Sequence, residues 1–195
     1  MSKIMPNASA ICAADGFYAD GISIGLKSGN QKDLAFIYSE TPCEIASVFT
    51  TNKMTAAPIR HFRALGDFQT NFVLINAKNA NAMTGPDGIE DINEILGGLT
   101  KQFTQIQNPV MSSTGVIGVR LPKEKILEGA FRVYLSKKKA VNASDAIINT
   151  HSFSTTIAVD VECKEEEFSI GKIEHGHGSI IPYLALTTYL STTKW

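Results

Sequence analysis

After Asp87, apolar residues recur at three- and four-residue steps, at Ile89, Ile92, Ile95, Leu96, Leu99 and Phe103. That stripe is one face of an amphipathic helix, and Asp87 is placed to cap its start. A striped helix must bury its face against another layer. The flanking runs Phe72 to Asn76 and Val110 to Ser113 supply one, being short, apolar and β-branched in the manner of sheet strands. Leu34 to Ser39 and Ala46 to Thr50 read the same way. Helix packed on strands makes the chain α/β. Gly97 and Gly98 interrupt the helix, each weakening it by about 1 kcal/mol relative to Ala.

Further along, Pro122 stands at a first helical position, with Ile126, Leu127, Ala130 and Tyr134 continuing the helix. Ala143 to Ile148 forms a third, shorter one. Thr155 to Glu162 sets Ile157, Val159 and Val161 against Ala158, Asp160 and Glu162, and Glu167 to Ile173 returns after the charged turn Lys164 to Glu166. Period two around a polar turn is a hairpin. With no internal repeat or linker, residues 1–195 read as a single domain large enough for a stable core.

A formal net charge of -1 gives no basic field, and the one basic run, Lys137 to Lys139, is short, so nucleic acid is set aside. Cys12, Cys43 and Cys163 are odd in number and widely spaced, which suits a reducing compartment. No apolar run reaches the roughly 20 residues of a membrane span, and the start lacks a signal core. A cytoplasmic protein, not in contact with membrane, is expected.

Ser112 to Gly118 is a small-residue turn following a strand; such a turn can aim N–H groups and a hydroxyl at a developing oxyanion, or can simply be tight. Asn76 to Asn81, NAKNAN, is an asparagine-rich turn that satisfies local backbone groups. His175 and His177 alternate in EHGHG, but a third metal ligand would have to come from Glu174, His151 or His61, and polar residues on a glycine-rich turn are the simpler reading. His61 with Arg60 and Arg63 reads as a solvated face.

Three stretches together, GFYADGISIGLKSGNQKDLAFIYSE from Gly16, MSSTGVIG from Met111 and IGKIEHGHGSIIPYLALTTYLSTT from Ile170, resemble the ornithine acetyltransferase / glutamate N-acetyltransferase family of arginine biosynthesis. The resemblance runs from about Gly16 to Thr193. It implies the layered α/β/β/α sandwich of the self-processing ornithine acetyltransferase type, with this chain matching the first half only. It also implies a precursor that cuts itself before a Thr, which then carries acetyl from N-acetylornithine to glutamate by a ping-pong route. No cofactor and no metal is expected, although some members accept acetyl-CoA. A second, C-terminal subunit and an oligomer are the implied partners of a complete enzyme.

Residue by residue, the resemblance lays the oxyanion pair on Thr114 and Gly115, a substrate hydroxyl on Ser152, and a carboxylate-binding Lys on His175, an imidazole of shorter reach and little charge near pH 7. The family's NSGNANACTG becomes Asn76 to Gly85, with Lys78 in place of a Gly and Met83 in place of a Cys. The residue before the cut is Ala185. The nucleophile position holds Leu186, which has no hydroxyl. Thr187 is the nearest substitute, but one residue along an extended segment moves a hydroxyl by about 3.5 Å and reverses its direction. The chain alone is therefore expected to be inactive. The readings left open are a first-subunit half, one part of a split enzyme, and a degenerate or truncated non-enzymatic homologue. Thr187 to Trp195 is expected to be an extended, aggregation-prone strand.

Overall fold

The computed structural model of the chain describes residues 3–148, 156–163 and 166–173. Among them the elements run β1 (Lys3–Asn7), β2 (Phe17–Ile22), β3 (Leu34–Cys43), α1 (Ala57–Ala64), β4 (Thr70–Asn76), α2 (Asp87–Gln102), β5 (Val110–Ser113), α3 (Lys123–Ala130), α4 (Ala140–Ile147), β6 (Thr156–Cys163) and β7 (Glu166–Ile173). A 3-10 turn, Ala10–Ala13, lies between β1 and β2.

One sheet has the order β2-β3-β4-β5 and the other β1-β6-β7. In the larger sheet β4 is antiparallel to β3 and parallel to β5, with α2 as the crossover. Layers cover both faces of β4, so Phe72, Leu74 and Ile75 are all buried and the strand reads as a continuous apolar run. On one face Phe36, Phe72, Leu74 and Met111 pack with the α2 stripe and with Ile126 and Ala130 of α3. On the other, Ala35, Ile37 and Ile75 pack with Ala143 and Ile147 of α4, Ile11 of the 3-10 turn and Ile173 of β7. Helices, the larger sheet, and then a helix and second sheet together make the expected α/β fold.

Small residues set how closely the layers approach. A side chain at Gly171 would overlap the main chain at Ile11, and one at Gly21 the main chain of Asn142. Gly98 is explained in the same way, since a Cβ there would drive into the Leu127 side chain of α3, whereas Gly97 has open space around it.

Several sequence expectations need correction. The hairpin forms, but its alternation does not set burial along β6: Ala158, 2% exposed, and Val161 are both buried, while Ile157 is 59% exposed. Ala158 lies opposite Gly171, and that flat pair is what admits the 3-10 turn. Ala46 to Thr50 is not a strand: β3 pairing with β4 breaks between Tyr38 and Cys43, and nearby amides at Asn52 and Met54 bond local side chains instead. Asp87 lies inside α2 and makes no capping bond, with Pro86 as N-cap. Pro122 is likewise the N-cap of α3, which stops at Ala130 and leaves Tyr134 exposed. The third helix begins three residues before Ala143, at Ala140. Cys12 and Cys43 are free thiols, and burial pushes that of Cys12 up.

Candidate functional site

Because β4 and β5 are parallel, both leave the sheet at the same end, the edge at which open α/β sheets receive ligands. Past that edge the NAKNAN loop and the STGVIG loop run side by side. The Thr114 N–H donates to the Asn76 carbonyl at 3.0 Å, Val116 to Lys78 at 2.8 Å, Ala80 to Val116 at 2.9 Å and Gly118 to Ala82 at 2.8 Å. Two motifs distant in sequence thus form one structure.

That ladder determines which donor is left over. The Thr114 N–H is consumed within it, whereas the exposed Gly115 N–H has no acceptor among the described residues. A main-chain donor so placed can meet a developing oxyanion, and the Thr114 side chain, half-buried beside it, is the hydroxyl within reach of the same turn. Glycine is required at 115 on two counts. Its φ is 132°, and a Cβ would overlap the main-chain carbonyl of Lys78.

The asparagines brace the loops as the sequence suggests. Asn76, fully buried, donates from Nδ2 to the carbonyls of Ala77 and Asn79, both at 3.0 Å. Asn79 Nδ2 donates to the Arg120 carbonyl at 3.3 Å. Asn81 Nδ2 donates to the Gly88 carbonyl at 2.8 Å, its Oδ1 accepts from the Thr84 hydroxyl at 2.7 Å, and its own carbonyl takes the Ala57 N–H at the start of α1. Below the turn, Asn76 Oδ1 and Ser113 Oγ are buried without a partner among the described residues. The loop is strained: Lys78 (φ 79°), Asn81 (50°) and Met83 (56°) all occupy the left-handed region.

Two charged anchors fix the surroundings. Arg120 donates from Nε to the buried Asp91 carboxylate at 3.0 Å and from Nη1 to Asp87 at 3.1 Å, tying the end of the STGVIG loop to the first turns of α2. The bond to Asp91 holds its guanidinium above the usual arginine range. Asp33, also buried, accepts from the N–H groups of Ile24 at 2.8 Å, Lys27 at 2.9 Å and Leu26, while its carbonyl takes the Ala77 N–H at 2.8 Å. It therefore locks the loop after β2 onto the end of β4. Sequence reading passed over both anchors. A single Asp ahead of a strand carries no signal that separates it from a solvated charge, while Arg120, two residues beyond Gly118, could have been noticed by proximity.

His61 is not on a solvated face. It lines a cavity of about 300 Å³ with Leu65, Phe68 and Leu96, bonds Asn93 Oδ1 at 3.2 Å, and is held by burial below the usual histidine range. Arg60 donates to the Gly85 carbonyl at 2.8 Å, and Arg63 lies over the Phe49 ring. Of the other residues singled out by sequence, Ser152, His175, Leu186 and Thr187, and the tail from Thr187 to Trp195, lie outside the described residues. Among the described residues no helix is long and apolar enough to cross a membrane.

Residues 18–193 match the model of the ArgJ family. The chain is 48% identical over 195 residues to the arginine biosynthesis bifunctional protein ArgJ of Wolinella succinogenes, covering 99% of this chain and 49% of that protein. It is 37% identical to the ArgJ of Dehalococcoides mccartyi, with 98% and 49% covered. The chain thus spans about half the length of the curated relatives it matches. Among solved structures, the Bacillus halodurans ArgJ superposes with a TM-score of 0.85 at 27% identity, and ornithine acetyltransferase of Mycobacterium tuberculosis, complexed with ornithine, with 0.75 at 28%. In both cases 95% of this chain and 100% of the solved chain are covered. Sequence over nearly the full chain and fold agree, and the chain belongs to the ArgJ family of arginine biosynthesis.

Proposed function

We propose that this chain is the part of an ArgJ-type acetyltransferase that supplies the oxyanion donors and part of the substrate site, and that it lacks the nucleophile. The reaction served is transfer of acetyl from N-acetylornithine to glutamate. The observation that carries the reading is the Gly115 N–H, exposed and without an acceptor among the described residues, in a turn clamped to a strained partner loop. Attack on an acetyl carbonyl moves negative charge onto its oxygen, and a preorganised N–H there contributes about 3 to 4 kcal/mol to the transition state. The ornithine bound by the Mycobacterium tuberculosis neighbour supports the substrate class.

Attack also needs a lone pair on the nucleophile, and Leu186 offers none. Its side chain can neither open the bond after Ala185 nor accept acetyl. That the relatives are about twice as long, while the solved chains are matched in full, supports a family whose mature form has two pieces. The missing hydroxyl would then have to come from a separate second subunit. A catalytically silent ArgJ homologue is the second reading, favoured by Leu186 itself.

The test is acetyl transfer from N-acetylornithine to glutamate, with the chain alone and with a separately expressed, Thr-initiated second part of the Wolinella succinogenes relative. Turnover is expected only in the mixture. Transfer by the chain alone that disappears in Thr187→Ala would contradict the proposal, and no transfer in the mixture would favour the silent homologue.

A further inference from the structure

Away from the oxyanion turn, α1 and α2 border the cavity of about 300 Å³ that His61 lines. Leu65, Phe68, Leu96 and Pro109 give it apolar walls, and no charged side chain lines it among the described residues. A cleft of that make-up suits an uncharged, largely apolar ligand rather than an amino acid with its charged ends.

Gly97 lines the cleft from within α2. Its backbone is helical and nothing lies within 4 Å of a Cβ built there, whereas a Cβ on neighbouring Gly98 would drive into Leu127. A glycine inside a helix weakens it, and no contact within the fold accounts for this one. What the missing side chain does is leave the main chain of α2 bare beside the cavity, where a flat ring can lie against it.

The polar groups add a second requirement. Asn93 Oδ1 can only accept, so His61 donates the 3.2 Å bond from its Nε2–H. Burial holds the imidazole below the usual histidine range, so the ring is neutral near pH 7 and its Nδ1 is an acceptor. Thr100 gives its hydroxyl hydrogen to the carbonyls of Leu96 and Gly97, each at 3.2 Å, and keeps its lone pairs. Both side chains have spent their one donor, and what they have left to offer a ligand is an acceptor.

We propose that the cleft between α1 and α2 is a ligand site, separate from the oxyanion turn, for an uncharged aromatic ring bearing an N–H or O–H donor. The assignment does not depend on the acyl-transfer reading.

Titration of the full chain with indole, followed through its amide NMR shifts, tests this against 1-methylindole, which has the ring without the donor. Indole should saturate with a Kd on the order of 1 mM and bind about fivefold more tightly than 1-methylindole. The shifts should centre on His61 and Gly97 and persist in excess N-acetyl-L-ornithine. Gly97→Leu should abolish binding of both probes, while Gly97→Ala should weaken it and yet raise Tm by about 2–4 °C, which separates a filled cleft from a damaged fold. His61→Phe should still bind the ring but lose the preference for indole. No saturable shift, binding that survives Gly97→Leu, equal affinity for the two probes, or displacement by N-acetyl-L-ornithine would each overturn the assignment. Loss of indole binding on adding the separately expressed second part of the Wolinella succinogenes relative would overturn it as well, by showing the cleft to be a contact between the two parts.

Discussion

Gly115→Ala should cost the fold about 3 kcal/mol, combining overpacking against main chain with a φ that L residues avoid. For a chain of this size that is a fall of roughly 6–12 °C in Tm. The new methyl would meet the Lys78 carbonyl, and neither partner can yield, because each is held in the ladder between the two loops. Gly118→Ala is the control. Gly118 also has a positive φ, 79°, but nothing lies within 4 Å of a Cβ there, so only about 1 kcal/mol should be lost. Equal losses at 115 and 118 in thermal melts would show that the close approach of the loops does not govern the turn. Even where Gly115→Ala folds, its displaced N–H should abolish any transfer regained with a second subunit.

Asp33→Ala should be comparably damaging, at about 3 kcal/mol, because it leaves the amides of Ile24, Leu26 and Lys27 without their acceptor. The effect should be local first. The three amides belong to the loop after β2, outside both flanking strands, so hydrogen exchange there should speed up before β3 and β4 are affected. Unchanged exchange there would mean that water replaces the carboxylate and that Asp33 does not organise the loop.

The regular part of this fold was legible because its signals are local. The α2 stripe, the continuous run of β4 and the period of the β6–β7 hairpin each follow from which faces must be buried. Ala46 to Thr50 misled because β-branched residues form a strand only where an edge is available, and the β3 ladder is broken before it reaches them. Burial along β6 does not follow its alternation, because Ala158 and Gly171 are buried for their smallness, which a count of apolar residues cannot register. His61 was misplaced for a related reason: its two arginine neighbours suggested solvent, but helix α1 turns the imidazole toward α2.

For the site, the resemblance singled out Thr114, Gly115 and Lys78, and Lys78, standing where the family has a Gly, takes a φ of 79° that glycine adopts freely. What no local pattern could reveal is the pairing of the two loops, which depends on β4 and β5 being adjacent and parallel. Asp33 and the partnership of Arg120 with Asp91 are legible only once that topology is known.

If Leu186 leaves the chain without a nucleophile, as proposed, neither self-cleavage nor acetylation can occur, and intact mass after purification and incubation with N-acetylornithine reads both. One unmodified species at 21.1 kDa is expected, with no acetyl adduct. Two fragments with a new N-terminus at Leu186 or Thr187, or a single acetyl group mapped to Thr187, would contradict it.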